Sequence, residues 1–344
     1  MFRDSAGRFW SVLVGHVGVI GAAIYLSLTY GEFDMSAMDV FRTLLGIEAD
    51  PAHLLVLFEF RLPRIVAAAL VGFGLGIGGA VIQGLTRNDL ADPGILGINA
   101  GAGTAIVMFM FFMGGSAAEN SWLSALGMPL FGWGGGMATA LFIYFFSWRN
   151  GVLDPQRLIL VGIAAGSGLG ALSLYLSLKL NPQDFEMATV WLLGSVWNTD
   201  WKSIASILPW LLLFVPVILY RSRVIDLFRL GDEAAKGLGV STETEKKVLF
   251  LLSIGIISAC VSVSGNIGFV GLIAPHIAKG LVGPRHRYVL PVSGAFGMLL
   301  VTISDWIAKV VFSPVELPVG VILSIIGVPY FIYLLFSARR KLGT

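Results

Sequence analysis

Ten separate apolar runs of membrane-spanning length recur along the chain, and that recurrence limits its fold more than any other feature. They fall at about residues 11–30, 62–85, 94–113, 128–147, 158–180, 203–220, 248–264, 267–283, 289–312 and 317–337. A crossing helix needs about 20 apolar residues to span a hydrocarbon core roughly 30 Å thick. Residues 248–283 are nearly unbroken and would run about 54 Å as one helix at 1.5 Å per residue, so they must divide. The turn-forming Ser264-Gly265-Asn266 is the natural fold-back point. Of 344 residues, 56% are hydrophobic and 13% charged, against about 25% charged in soluble domains. A water-soluble globule is excluded. Two shorter apolar pieces, Val40–Ile47 and Met187–Val196, read as surface or re-entrant helices. The expectation is an all-α polytopic membrane protein with about ten transmembrane helices, a single membrane domain over residues 1–344.

An even number of crossings puts both termini on one side, and the basic residues choose it. Of the 23 Lys and Arg, 17 fall in one set of connecting segments and ends, including Arg3, Arg8, the run Arg221 to Lys247, and Arg339, Arg340 and Lys341. The other set holds Arg42, Arg61, Arg64, Lys179, Lys202 and Lys309. Both termini are therefore expected in the cytoplasm. Segments 31–61 and 181–202 then lie outside and 221–247 inside. The first run follows only two arginines and lacks a small-residue cleavage site, so it reads as a retained span. A net charge of +2 is scattered through short loops, with no stripe to neutralise a nucleic-acid backbone. The lone Cys260 allows no intrachain disulfide.

Gly74-Leu75-Gly76-Ile77-Gly78-Gly79 matches a dinucleotide fingerprint, but that motif needs a preceding strand and a wet phosphate site. It sits inside an apolar span, where Gly72, Gly76 and Ala80, or Gly74 and Gly78, form small-residue faces for close helix packing. Gly162, Gly166 and Gly170 repeat the spacing in the fifth span, either packing on a neighbour or leaving room for a bulky solute. No H-E-x-x-H, G-x-S-x-G or paired intramembrane carboxylate is present, so no catalytic centre is visible. Asp305 is costly inside a span. Lys309, one turn on, is its expected partner. A proton or cation relay is the alternative. Pro275-His276 reads as a kink beside a polar side chain facing the bundle.

The polar segment 221–247 is too well specified for a loose linker. Gly231-Asp232-Glu233 opens a short helix through Lys236, with Gly237 and Gly239 ending it. Thr242 and Glu245 have the spacing of a capping box for the seventh span. A short exposed helix between glycines either inserts into a cleft on a cytoplasmic partner or lies solvated at the interface. Arg61-Leu62-Pro63-Arg64 stands at the outer mouth of the second span. Pro63 suits a helix start. The two arginines either anchor headgroups or meet an external acidic partner.

Three ordered blocks resemble the permease family of ATP-driven importers for ferric siderophores, haem and cobalamin, the type II ABC importers. They are RLPRIVAAALVGFGLGIGGAVIQGLTRNDLADPGILGINAGAG from Arg61, LGDEAAKGLGVSTE from Leu230, and GNIGFVGLIAPHIAKGLVGPRHRYVLP with SDWIAK and ELPVGVILSIIGVP. The resemblance covers nearly the whole chain. It implies a ten-helix permease domain that pairs with a second permease subunit, identical or paralogous, with the path at their interface. Gly231, Asp232, Glu233, Ala234, Ala235, Lys236, Gly237, Leu238 and Gly239 would form the loop that couples to two cytoplasmic ABC ATPase subunits. Arg61, Arg64 and Lys309 match the positions that meet glutamates of an extracytoplasmic substrate-binding protein, with lysine standing where the family commonly has arginine. Gly162, Gly166 and Gly170 would line the translocation pathway.

The implied function is a permease subunit, in the bacterial cytoplasmic membrane, that passes a ferric siderophore inward. Cobalamin or haem is the alternative passenger, and an ion-coupled secondary transporter the rival mechanism. No G-x-x-x-x-G-K-[ST] is present, so ATP and Mg2+ would be used by the partner ATPase. The chain itself is expected to bind no cofactor or metal and to be no enzyme.

Overall fold

The computed structural model describes residues 5–30, 33, 35–47, 50–94, 96–113, 122–149, 152–313 and 315–342. Arg3, and the side chains of Arg339, Arg340 and Lys341, used above to orient the chain, lie outside the described residues. Helix α1 spans Ser5–Thr29, α2 Ala37–Leu45 and α3 Pro51–Leu55. A π-helical turn over Val56–Arg61 runs on into α4, Leu62–Thr86. α5 covers Ile98–Met113, α6 Trp122–Phe146, α7 Pro155–Ser177, α8 Pro182–Leu193 and α9 Trp201–Tyr220. α10 is Ser222–Phe228, α11 Asp232–Gly237, α12 Thr242–Ser264, α13 Val270–Val282, α14 His286–Val310 and α15 Val319–Leu342. Two-residue strands β1, Trp148–Arg149, and β2, Val152–Leu153, pair antiparallel ahead of α7.

Local chemistry sets many of these starts. Asp154, Asn181 and Asp200 accept backbone N–H bonds at the starts of α7, α8 and α9, each satisfying donors that the first turn leaves orphaned. Prolines begin α3, α7 and α8, where a missing N–H costs nothing. A reciprocal capping box of Ser36 and Asp39 starts α2. The box expected of Thr242 and Glu245 does not form. Ser241 is the residue before α12, Thr242 already lies inside the helix with a buried hydroxyl lacking a partner, and Glu245 is drawn away to Arg221. Pro63 does stand in the first turn of α4, and the π turn and α3 continue that helix back to Pro51.

Every apolar run coincides with a helix. Among the described residues, eight helices are long and apolar enough to cross a membrane, while α5 and α13 have 16 and 13 residues. α13 is therefore only about 20 Å long. Its shortfall arises at the fold-back, where Gly265 and Phe269 take left-handed backbone before the helix can start. Irregular backbone at membrane depth must be buried in protein. Here a Cβ at Gly265 would fall 1.9 Å from the Trp191 carbonyl, so α8 covers the turn. α2 and α8 are the two short elements expected to stay off the spanning set.

α4 is the central helix, packed on α12, α13 and α14. Its glycines allow this. A Cβ on Gly72 would lie 2.2 Å from the Gly297 carbonyl oxygen, on Gly76 2.2 Å from that of Ser293, and on Gly79 2.2 Å from that of Gly271. Gly74 receives Cys260 Sγ. The dinucleotide-like string is thus a packing surface, and overfilling it would push whole helices apart. α5 packs between α6 and α7, and α1 and α7 lie at the periphery with most of their surface open.

Candidate functional site

Three places bring together the residues singled out by sequence. The first is α11. Gly231 precedes it with φ +102, a conformation that disfavours any side chain, and supplies no side-chain cap. Six residues cannot hold a helix unaided. What holds it is Asp232, whose carboxylate accepts from Arg87 and from Lys246 Nζ at 2.7 Å. Lys246 also stands 3.6 Å from Glu243 and is nearly buried. Ala235 inserts fully into the protein. Burial opposes ionisation of Asp232, but the bond and charge of Lys246, then Arg87, outweigh it and hold the carboxyl below its ordinary range. Arg87 caps α4 with left-handed backbone, and Lys246 lies in the first turns of α12. α11 is therefore clamped to two central helices at once. Glu233, Ala234, Lys236, Gly237 and Leu238 face outward, with Leu238 63% exposed. Asp232 is thus an internal clamp, and the outward surface of α11 consists of its other residues.

The second is a cleft of about 490 Å³ beside α7. Gly162, Gly166 and Gly170 all line it, with Gly97, Asn99 and Asn266 opposite. Asn99 donates to Asn266 at 2.7 Å, tying the start of α5 to the fold-back before α13. Two of the three glycines pack closely on a neighbour. A Cβ on Gly162 or Gly166 would press at 3.0–3.1 Å on the backbone of Leu96 and Gly97, whereas Gly170 has open space. Beyond the cleft, whose edge Ser167 forms, α7 exposes a strip of small residues, Ala164, Gly168 and Ala171.

The third is a charged cleft of about 290 Å³ where α4 and α14 meet the segment before α15. Arg64 forms ion pairs with Asp305 at 2.9 Å and Glu316 at 2.7 Å. The Asp305 partner is therefore Arg64 on another helix, correcting the expected pair with Lys309. A guanidinium offers two donors to each carboxylate, whereas Lys309 on the same helix has only a flexible stem. Arg61 is buried and donates to the carbonyl of Leu28, in the last turn of α1 where carbonyls lack helical partners, and to that of Phe33 in the segment that follows. Lys309 lines the same cleft. The tertiary structure thus commits Arg61 and Arg64 to internal contacts.

Sequence reasoning passed over Asp92, between α4 and α5. Its buried carboxyl accepts backbone N–H bonds from Gly94 and Phe269, linking the approaches to the two short helices α5 and α13. Burial raises its pKa to about 6, against those two bonds. The one available signal was an acid in the apolar string LADPGILG. Among the described residues, no group of His, Cys, Asp and Glu could hold a metal ion.

Known proteins resemble this chain over nearly its whole length. The chain is 52% identical over 324 residues to the iron-uptake system permease protein FeuC of Bacillus subtilis, covering 94% of this chain and 96% of that protein. It is 42% identical over 321 residues to the iron(3+)-hydroxamate import system permease protein FhuG of the same organism, covering 93% and 95%. A solved structure described as an inward-facing conformation of a metal-chelate type ABC transporter superposes with a TM-score of 0.81 at 28% identity, over 95% of this chain and 99% of that one. Residues 19–337 match the FecCD transport family model, nearly the full run of helices from α1 to α15, and the chain belongs to that family.

Proposed function

We propose that the chain is the transmembrane permease subunit of an ATP-driven importer that moves ferric siderophore complexes inward across the bacterial cytoplasmic membrane. The observation that carries this reading is the 52% identity, over nearly the full length of both chains, to an iron-uptake permease. A second permease subunit, two ABC ATPases and an extracytoplasmic binding protein complete the assembly. ATP and Mg2+ belong to the ATPases, and this chain contributes a path and a lever.

The lever is α11. Its outward residues, Glu233 to Leu238, meet the ATPase, while Asp232 carries the displacement to Arg87 at the end of α4 and to Lys246 at the start of α12. Because α4 and α12 form the packed centre, a shift there moves the helices around them as rigid bodies rather than deforming one loop. α5 and α7, which flank the cleft at Gly162, Gly166 and Gly170, then reorient between outward-open and inward-open states. The small-residue strip on α7 faces the second subunit, and the path between them is wide and weakly binding, as suits a chelate that already satisfies its metal. At the outer mouth, Lys309 presents charge to the binding protein, while Arg64, paired with Asp305 and Glu316, and Arg61, at the end of α1, hold the cleft in shape behind it.

The test is transport into vesicles by the reconstituted assembly against a panel of ferric chelates, cobalamin and haem, with and without the ATPase. ATP-dependent uptake of a ferric siderophore is expected. Uptake without any ATPase, or of cobalamin or haem alone, overturns it.

A further inference from the structure

We infer that the chain holds an anionic phospholipid headgroup in a basic groove between the end of α9, α10 and the start of α14. The groove has a volume of about 560 Å³ and is lined by Tyr220, Arg221, Ser222, Arg223, Glu245 and Arg287. Three guanidinium groups face one carboxylate. Glu245 is already paired with Arg221, so the groove keeps a net positive charge for a phosphate monoanion. The Arg221 guanidinium is fixed at one end by that pair, while its buried Nε has no hydrogen-bond partner. Arg223 and Arg287 are exposed and come from separate elements, so they can close on an oxygen cluster from two sides. Guanidinium groups suit phosphate oxygens because each offers paired donors in one plane.

A phosphodiester headgroup and free phosphate share this chemistry, and the surroundings favour the lipid. α9 exposes Leu212 and Leu213 by 67% and 62%, and Tyr220, two turns beyond Leu213, by 87%. Leu213 and Tyr220 share one helix face. That face leads from apolar surface, through an aromatic ring of the kind that sits at headgroup level, directly into the basic groove. An acyl chain along α9 therefore brings its own phosphate to Arg223 and Arg287, at the membrane edge where basic pockets recognise acidic lipids. Zwitterionic phosphatidylcholine carries a compensating cation and should fit poorly.

The full-length chain, purified in neutral detergent, is titrated with phosphatidylglycerol, phosphatidylcholine or inorganic phosphate while its thermal unfolding midpoint is followed. Phosphatidylglycerol should raise the midpoint by about 2–4 °C at saturation. The other two should leave it unchanged. The double variant Arg223→Gln with Arg287→Gln, both exposed positions, should fold normally and lose more than half of the increment. An equal shift with phosphatidylcholine or inorganic phosphate, a phosphatidylglycerol shift that survives in the double variant, or no shift at all overturns the inference. The measurement involves neither partner nor transport, so its result is separate from that of the importer reading.

Discussion

Replacing Asp232 with asparagine keeps its shape and removes the charge that clamps α11. Lys246, only 6% exposed, then retains Glu243 at 3.6 Å in place of Asp232 at 2.7 Å. Two unit charges 4 Å apart attract by about 4 kcal/mol at an effective dielectric of 20. Desolvation offsets most of this, and leaving one buried group poorly partnered costs about 1–3 kcal/mol. The half-exposed Arg87 adds little, because solvent screens it. At about 1.4 kcal/mol per factor of ten, the detached population of α11 should rise about 5- to 140-fold. Hydrogen exchange reads this directly. The amides of Leu238, Gly239 and Val240 bond back to Ala234, Ala235 and Lys236 and are protected only while α11 is formed. Their exchange should accelerate by that factor at neutral pH. Adding Lys246→Met to Asp232→Asn removes the stranded charge as well, so the double variant should cost less than the sum of the singles. Exchange within twofold of the parent, or strictly additive variants, would refute the clamp. The acid dependence has a definite sign. Because the folded carboxyl titrates below its unfolded value, the clamp is at full strength above about pH 4 and is lost only as acid passes through the lowered value.

Asp92 behaves oppositely. Its folded pKa of about 6 lies above the unfolded value of about 3.9, so the folded state binds the extra proton between them and stability falls as pH rises through that window. Asp92→Asn, whose single amide oxygen is the only acceptor left for the Gly94 and Phe269 N–H groups, should abolish that slope, measured as unfolding midpoint against pH. Gly170→Phe enters open space and should block chelate uptake in vesicles while leaving assembly intact; normal uptake would remove this face from the path. Gly76→Ala puts a methyl 2.2 Å from the Ser293 carbonyl and should cost about 1–3 kcal/mol, seen as a lower melting temperature with α4 and α14 displaced. Removing Asp305 by Asp305→Asn should leave Arg64 on Glu316 alone, reducing stability more than Lys309→Ala does.

The positions and order of the apolar helices were legible in the chain because water and lipid act on each segment locally. Twenty apolar residues demand a crossing whatever surrounds them, and caps such as Asp154 and Asn181 act within one turn. α11 between its glycines was readable for the same reason. Pairing was not. Asp305 had a lysine at helical spacing, yet it lies beside Arg64, 241 positions away in sequence, because α4 and α14 cross at glycines whose meeting no local pattern encodes. Thr242 and Glu245 had capping-box spacing, and a distant Arg221 took the glutamate. Asp92 carried no motif at all. Sequence by itself determined which segments must enter the membrane, since that free energy is summed residue by residue. Only the tertiary structure decided which charges neutralise one another and which side chains remain to face a partner, since those energies depend on distances that exist only after the helices have packed.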